Sequence, residues 1–430
     1  MEDKLNKIKK NKMNRYILFW LSQAVSQLGS SMTGFALILW AYGFSRSALT
    51  VSLMTFCNYV PYILVSLFAG TVVDRNRKKT VMLAADSVAA LGTLAIWGLL
   101  WSGKLLMIHV YLVNALIGCA NAFQSPASGV AVRMMVPKEK LSNVSGMNSF
   151  SGNLIMVLTP VLAAAIYSLA GLNAVLLIDI GSFVFAFGIL LFLIPIPEDI
   201  PARSERESVF AGCREGFAFL GKNRLMLQIV LTMALINFFS RLTYENILSP
   251  MILSRSGADN MALGTVNAVM GAAGIIGGVF VSLDRKERDG KKMIYFSAAL
   301  SFLFGDLLMG IGRNTLLWCI AGMAASLPIP FVNAGQNVIL YNTVPEDMQG
   351  RIFGVRNACQ YCTIPIAILL GGYLADYVFE PFMSGSGGLA GILHGIVGYG
   401  AGSGMATMFL CTGILGFAFS VFAYLRVRKL

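Results

Sequence analysis

Four carboxylates stand inside long apolar runs of this chain: Asp86, Asp179, Glu245 and Asp306. A charged carboxylate surrounded by hydrocarbon is costly, so such a group either finds a partner or holds its proton. Reversible protonation is the chemistry these residues offer. Glu245 follows Arg241 by four positions, which puts both on one helix face where they can pair. Pairing holds Glu245 ionised and gives it a structural or switching role. Asp306 lies roughly 20 Å from the start of its run at about 1.5 Å per residue, near the middle of a membrane. Asp179 falls nearer the outer leaflet. Asp306 and Asp179 therefore rank first as proton carriers and Glu245 after them. Asp86 comes last, because a position near the inner surface suits local packing. For all four, hydrogen bonding between neighbouring helices is the competing role.

Other catalytic chemistry finds little support. The only histidines are His109 and His394, both near the ends of apolar runs, and neither a His-Glu-x-x-His nor a serine-nucleophile motif occurs. This argues against an intramembrane enzyme. Cys359-x-x-Cys362 lies within an apolar run, one helical turn apart, so packing is favoured over redox exchange. Gly98-x-x-x-x-Gly103-Lys104-Leu105 ends in Leu where a phosphate-binding loop needs Ser or Thr, and no strand precedes it. That excludes an internal ATPase. No metal site or bound cofactor is expected.

The elements that must position these residues follow from composition. The chain has 430 residues, 56% hydrophobic and 13% charged, with a mean hydropathy of +0.70. That is about half the charge of an ordinary soluble domain, and it fixes an all-α polytopic membrane protein. The length allows about twelve transmembrane helices. They fall at about 16–43, 48–73, 80–101, 105–124, 144–170, 173–195, 225–253, 260–283, 292–312, 315–341, 352–378 and 404–427. Pro195, Pro197 and Pro201 open a polar connection at 196–224, with Phe210, Cys213, Phe217 and Leu220 spaced as one face of a short surface helix. It separates an N-terminal half, 1–195, from a C-terminal half, 225–430. The glycine-rich segment at 384–404 is either a flexible loop or a re-entrant lid.

Two polar stripes interrupt the apolar runs. Gln23, Ser26, Gln27, Ser30 and Gly34 share one face of the first span; Asn333, Gln336 and Asn337 share one face of the tenth. Polar faces avoid lipid, so each meets either a water-filled cavity or a packed helix. As a cavity they would take a small hydrophobic or amphipathic substrate through Gln23, Gln27, Asn333 and Asn337, with Phe35, Trp40 and Phe238 nearby.

Topology follows from basic residues. Gly70-Thr-Val-Val-Asp74-Arg75-Asn76-Arg77-Lys78-Lys79-Thr80 joins the second and third spans, a tight basic turn suited to the cytoplasmic side. There Asp74 can accept hydrogen bonds from a facing helix N-terminus, and Arg75, Arg77, Lys78 and Lys79 reach the headgroups. Of 33 Lys and Arg, only Arg46, Lys104, Arg255 and Arg313 fall in expected outer loops and Arg241 within a span. The other 28 fall inside, which puts both termini in the cytoplasm. The net charge of +12 belongs to this inner rim facing membrane lipid, and no basic soluble domain exists to bind nucleic acid.

The two halves echo each other. Asn14-Arg15 matches Asn223-Arg224 at an offset of 209, Val136-Pro137 matches Val344-Pro345 at 208, and Asp74-Arg75 matches Asp284-Arg285 at 210. Two parallel six-helix repeats result.

The Gly70–Lys79 loop resembles the signature of the major facilitator superfamily, Gly-x-x-x-Asp-Arg-x-Gly-Arg-Arg, at Gly70, Asp74, Arg75, Lys78 and Lys79. It departs at Arg77, where the family usually has Gly. Asn114-x-x-x-Gly118 stands where proton-coupled members have Arg-x-x-x-Gly, and Thr159-Pro160-Val-Leu-Ala163-Ala164 keeps only the proline of the antiporter signature. Val81 to Asp86, Asn173 to Asp179, Arg214-Glu-Gly-Phe, Gly350 to Gly354 and Gly371 to Asp376 are similar to the macrolide-efflux branch. The resemblance implies the major facilitator fold, a bacterial plasma-membrane location, and export of hydrophobic compounds by proton antiport. It implies a gate at the Gly70–Lys79 loop. Related branches carry lysophospholipids or siderophores. A passive channel is the remaining alternative. The chain is expected to act as a monomer.

Overall fold

The computed structural model describes residues 2–136, 141–196, 209–283, 289–344, 349–385 and 387–429. Every regular element among them is a helix. A helix satisfies its own backbone, which is what hydrocarbon demands of a spanning segment. Among the described residues, eleven helices are long and apolar enough to cross a membrane. One of them, Phe150–Leu193, has 44 residues, which at about 1.5 Å each is twice the thickness of a bilayer core. Its helix α5 (Leu141–Gly188) breaks at Gly171, where φ is 74° and ψ is −176°. Glycine alone adopts that backbone readily. The fifth and sixth spans therefore meet there without a loop, and the count of twelve spans in two sets of six stands.

The chain divides into two compact units. Unit 1 holds residues 1–44 and 53–204; unit 2 holds 45–52 and 205–430. Unit 1 contains α1 (Glu2–Ser45, less its last residue), most of α2 (Ala48–Arg75), α3 (Lys78–Trp101), α4 (Met107–Met135) and α5. Close helix contact is set by small residues. A Cβ on Gly118 of α4 would lie 2.2 Å from the Asn58 carbonyl oxygen of α2, and Asn58 Nδ2 donates to the Asn114 carbonyl at 3.2 Å. The Asn114-x-x-x-Gly118 pattern is thus a helix-crossing point, with the backbone of one helix pressed on the other.

Unit 2 begins with α6 (Val209–Lys222), then α7 (Arg224–Thr243) and α8 (Leu248–Arg255), which form one apolar span. The expected surface helix is present as α6. Leu220 is buried with Met226, Leu340 and Ile352 in the core of unit 2, while Phe217 stays exposed. Its apolar face is therefore partly docked on protein. The side chains of Phe210 and Cys213 lie outside the described residues. Next come α9 (Asn260–Leu283), and then α10 (Gly290–Leu300) and α11 (Leu307–Ile311), joined by the π-helical turn Ser301–Asp306. Helices α12 (Thr315–Ser326) and α13 (Ile329–Thr343) form one span. Helices α14 (Gln349–Tyr361) and α15 (Thr363–Leu374) lead through a second π turn, Ala375–Phe379, into α16 (Glu380–Ser384).

The glycine-rich segment is neither of the forms expected in its entirety. It contains a helix, α17 (Gly388–Val397), followed by α18 (Ser403–Val427). Arg255 donates to the Val397 carbonyl, and Arg313 Nη2 donates to the Gly395 and Ile396 carbonyls at 3.3 Å each. Two guanidinium groups thus cap the C-terminal carbonyls of α17. Glu380 accepts from the Met405 amide at 3.0 Å and the Gly402 amide at 3.3 Å, at the opposite pole of α18. The φ of Gly402 is 86°, and a Cβ there would meet Ser254 Oγ at 2.3 Å. Gly402 and Gly404, where a Cβ would lie 2.3 Å and 2.4 Å from neighbouring atoms, serve close docking of this segment.

Candidate functional site

In unit 1 the carboxylate of Asp179, on the sixth span, is 4% exposed. Ser30 Oγ of α1 donates to its Oδ1 at 2.9 Å and Thr93 Oγ1 of α3 donates to its Oδ2 at 3.1 Å. Thr33, one helical turn along α1, faces the same carboxylate. The backbones approach closely here because α1 carries Gly29, where a Cβ would sit 3.2 Å from the Asp179 Cα. Beside this junction is a small, partly open recess lined by Ser26, Ser30, Asp86, Thr93, Asp179 and Phe183 among others. Asp86 therefore shares a recess with Asp179, with Gln124 also facing it. Ranking Asp86 as a local packing residue missed this neighbour, because the third and sixth spans lie far apart in sequence.

In unit 2 Asp306 is 1% exposed and closes the π turn Ser301–Asp306. Thr412 Oγ1 of α18 donates to Asp306 Oδ2 at 2.7 Å. The Tyr244 hydroxyl, from the first span of this unit, is the other group facing it. Among the described residues, Asp306 Oδ1 and the Tyr244 hydroxyl have no partner other than each other. A glycine again allows the approach: a Cβ on Gly413 would lie 3.1 Å from Asp306 Cβ. Insertion of one residue into a helical turn re-aims side chains, and such π turns recur at functional positions. Arg241 and Glu245 form the expected i, i+4 ion pair.

The basic loop is shorter than its composition implies. Only Asn76 and Arg77 separate α2 from α3. Arg77 has φ −63° and ψ 121°, ordinary extended backbone that needs no glycine. Lys78 is buried and donates to the Asn76 carbonyl at 3.2 Å. Lys79 Nζ donates to the carbonyls of Leu191 and Ile194 at 2.9 Å each. Both ammonium groups bond protein carbonyls. The side chains of Gly70, Asp74 and Arg75 lie outside the described residues.

The two polar stripes differ in their surroundings. Gln27, Ser30 and Gly34 are exposed on α1, and Gln23 is half-buried with its amide nitrogen unpartnered. On α13, Asn333 and Asn337 are exposed. Gln336 is buried and accepts from Gln360 Nε2 at 3.1 Å, so it belongs to helix packing. Phe35 and Trp40 pack against the buried core of unit 1, and Phe238 is half-buried edge-on to Phe239. The residues that sequence reasoning missed are Thr93, Thr412 and Tyr244. Hydroxyl side chains are frequent in the spans, and nothing in their spacing marks these three.

The family model described as Major Facilitator Superfamily matches residues 19–366. Macrolide efflux protein A of Streptococcus pyogenes is 25% identical over 373 residues, covering 85% of this chain and 90% of that protein. Multidrug efflux pump Tap of Mycolicibacterium fortuitum is 23% identical over 352 residues, covering 77% and 81%. Among solved structures, an inward-facing bacterial homologue of the iron transporter ferroportin superposes with a TM-score of 0.70. It is 14% identical and covers 95% of this chain and 99% of that one.

Proposed function

The chain belongs to the major facilitator superfamily of multi-pass membrane transporters, and from that premise we propose that it exports amphipathic small molecules in exchange for protons. The single observation that carries the coupling is the pair of buried carboxylates, Asp179 and Asp306, each held by hydroxyl groups. A hydroxyl can donate to a carboxylate and accept from a carboxylic acid, so the same cage serves both protonation states. The direction of transport and the substrate class rest on the macrolide and multidrug efflux relatives. Gln27 in unit 1, and Asn333 and Asn337 in unit 2, are exposed polar side chains on otherwise apolar helices, hydrogen-bonding groups of the kind an amphipathic molecule needs. The Gly70–Lys79 loop acts as the gate. The protein sits in the bacterial plasma membrane as a monomer with both termini in the cytoplasm, in accord with its inner rim of Lys and Arg.

Efflux of ethidium and of erythromycin from cells overexpressing the protein tests this reading. The expected result is extrusion that a protonophore abolishes. Extrusion that persists with the protonophore, without accumulation against a gradient, would instead identify a passive channel. Transport of lysophospholipid or siderophore in place of both probes would move the protein to another branch of the same fold.

A further inference from the structure

Resting on the proton-coupled reading, we infer that the protein binds one coupling proton in each half, at the same three-helix junction. Between the halves, the acid and the hydroxyl have exchanged helices. In unit 1 the junction joins the first, third and sixth spans through Ser30, Thr93 and Asp179. In unit 2 it joins the first, third and sixth spans of the second repeat through Tyr244, Asp306 and Thr412. The halves are related by offsets of 208 to 210 at three paired motifs, and the junction residues pair span for span at offsets of 214, 213 and 233, the last lengthened by the segment before α18. The acid stands on the sixth span in unit 1 and on the third in unit 2, with threonine taking the complementary place each time. A glycine beside each acid, Gly29 and Gly413, brings the helix backbones together at both junctions.

The chemistry of both cages points to a proton. The groups facing Asp179 are Ser30, Thr33 and Thr93, with Asp86 across the recess; those facing Asp306 are Thr412 and Tyr244. None of these is cationic, so none can neutralise a carboxylate in a low-dielectric site. A proton does so with the smallest volume, converting carboxylate to carboxylic acid and returning it on release. At Asp306 the Tyr244 hydroxyl can donate to an ionised Oδ1 or accept from a protonated one, so this side of the site also serves both states. Each junction pairs one acid with a threonine, and the acid comes from a different helix in each half. Interhelical hydrogen bonding alone would be served equally by amides.

Two measurements test this. Infrared spectra of the purified protein at neutral pH report protonated carboxyl groups without any substrate. Asp179→Asn and Asp306→Asn should each remove a distinct protonated carboxyl band; if neither does, the inference is overturned. In phosphatidylethanolamine–phosphatidylglycerol proteoliposomes, the pH gradient that balances ethidium flux gives the proton-to-ethidium ratio. The wild type should show two protons per ethidium and each amide variant one. An unchanged ratio in either amide variant, or a wild-type ratio of one, would overturn it. The double variant D306T/T412D rebuilds in unit 2 the arrangement of unit 1. It should restore the wild-type ratio that D306T alone loses, and a double variant behaving as D306T would overturn the exchange of helices. If ethidium moves without any proton in the wild type while the infrared bands behave as expected, the antiport reading fails and the two protonated sites remain.

Discussion

Asp376 caps the first turn of the helix that begins at Ala48. Its carboxylate accepts from the Ser47 hydroxyl at 2.5 Å, from the Ala48 amide at 3.1 Å and from the Leu49 amide at 2.9 Å. Free amides at a helix start and a negative charge satisfy each other. Asp376 itself sits in the π turn Ala375–Phe379, and residues 45–52 belong to unit 2 through contacts of this kind. Asn246, fully buried, adds a second tie, donating to the Ser52 hydroxyl and to the Ile368 carbonyl.

Asp376→Ala removes the acceptor for three donors and should lower stability by about 1–2 kcal/mol, the scale of a lost cap. Thermal unfolding of the purified protein in detergent measures it. Asp376→Asn keeps one acceptor oxygen and should lose less. Equal midpoints for Asp376→Ala and the wild type would show that the cap contributes nothing.

Lys79→Met should cost about 0.3–1 kcal/mol, because it strips the Leu191 and Ile194 carbonyls of a cation at a helix C-terminus. Lys79→Arg should retain most of this, since a guanidinium also reaches two carbonyls. The check is the same unfolding assay. A Met variant as stable as wild type would return Lys79 to a headgroup role.

Gly118→Ala should destabilise unit 1 by about 1–3 kcal/mol, the usual cost of overpacking, since its Cβ would press on the Asn58 carbonyl at 2.2 Å. Gly34→Ala is the control. It sits on a helix as well, but a Cβ there meets nothing within 4 Å. The pair should separate in expression level and in unfolding temperature.

Single cysteines in a cysteine-free background distinguish the two faces of α13. Cysteine at position 337 should react with a membrane-impermeant polar maleimide, and so should cysteine at position 27 on α1. Cysteine at position 336 should not, because that position is buried against Gln360. Ethidium present during labelling should protect 27 and 337 if they line its path. Reaction at 336 with silence at 337 would reverse the assignment of faces.

What the sequence determined by itself is whatever depends on neighbours along one chain. Hydrophobic runs of bilayer length specify spans, Lys and Arg excess points to a side, and an i, i+4 spacing pairs Arg241 with Glu245. The repeat was also legible, since duplication leaves matched motifs at constant offset. The buried acids could be named because a carboxylate in an apolar run stands out against its background. Their partners could not. Thr93 and Asp179 are 86 positions apart, and Thr412 and Asp306 are 106 apart. Threonine is unremarkable in a spanning helix, so only helix packing selects which hydroxyl meets which acid. The same holds for Asp86, which reads as a local packing residue until α3 and the sixth span form one recess. It holds for the glycine-rich segment, whose helix α17 is fixed by Arg255 at the end of α8 and Arg313 between α11 and α12. Composition there permits both order and mobility. Two guanidinium groups at one helix end decide for order, and their meeting is a property of the tertiary structure alone.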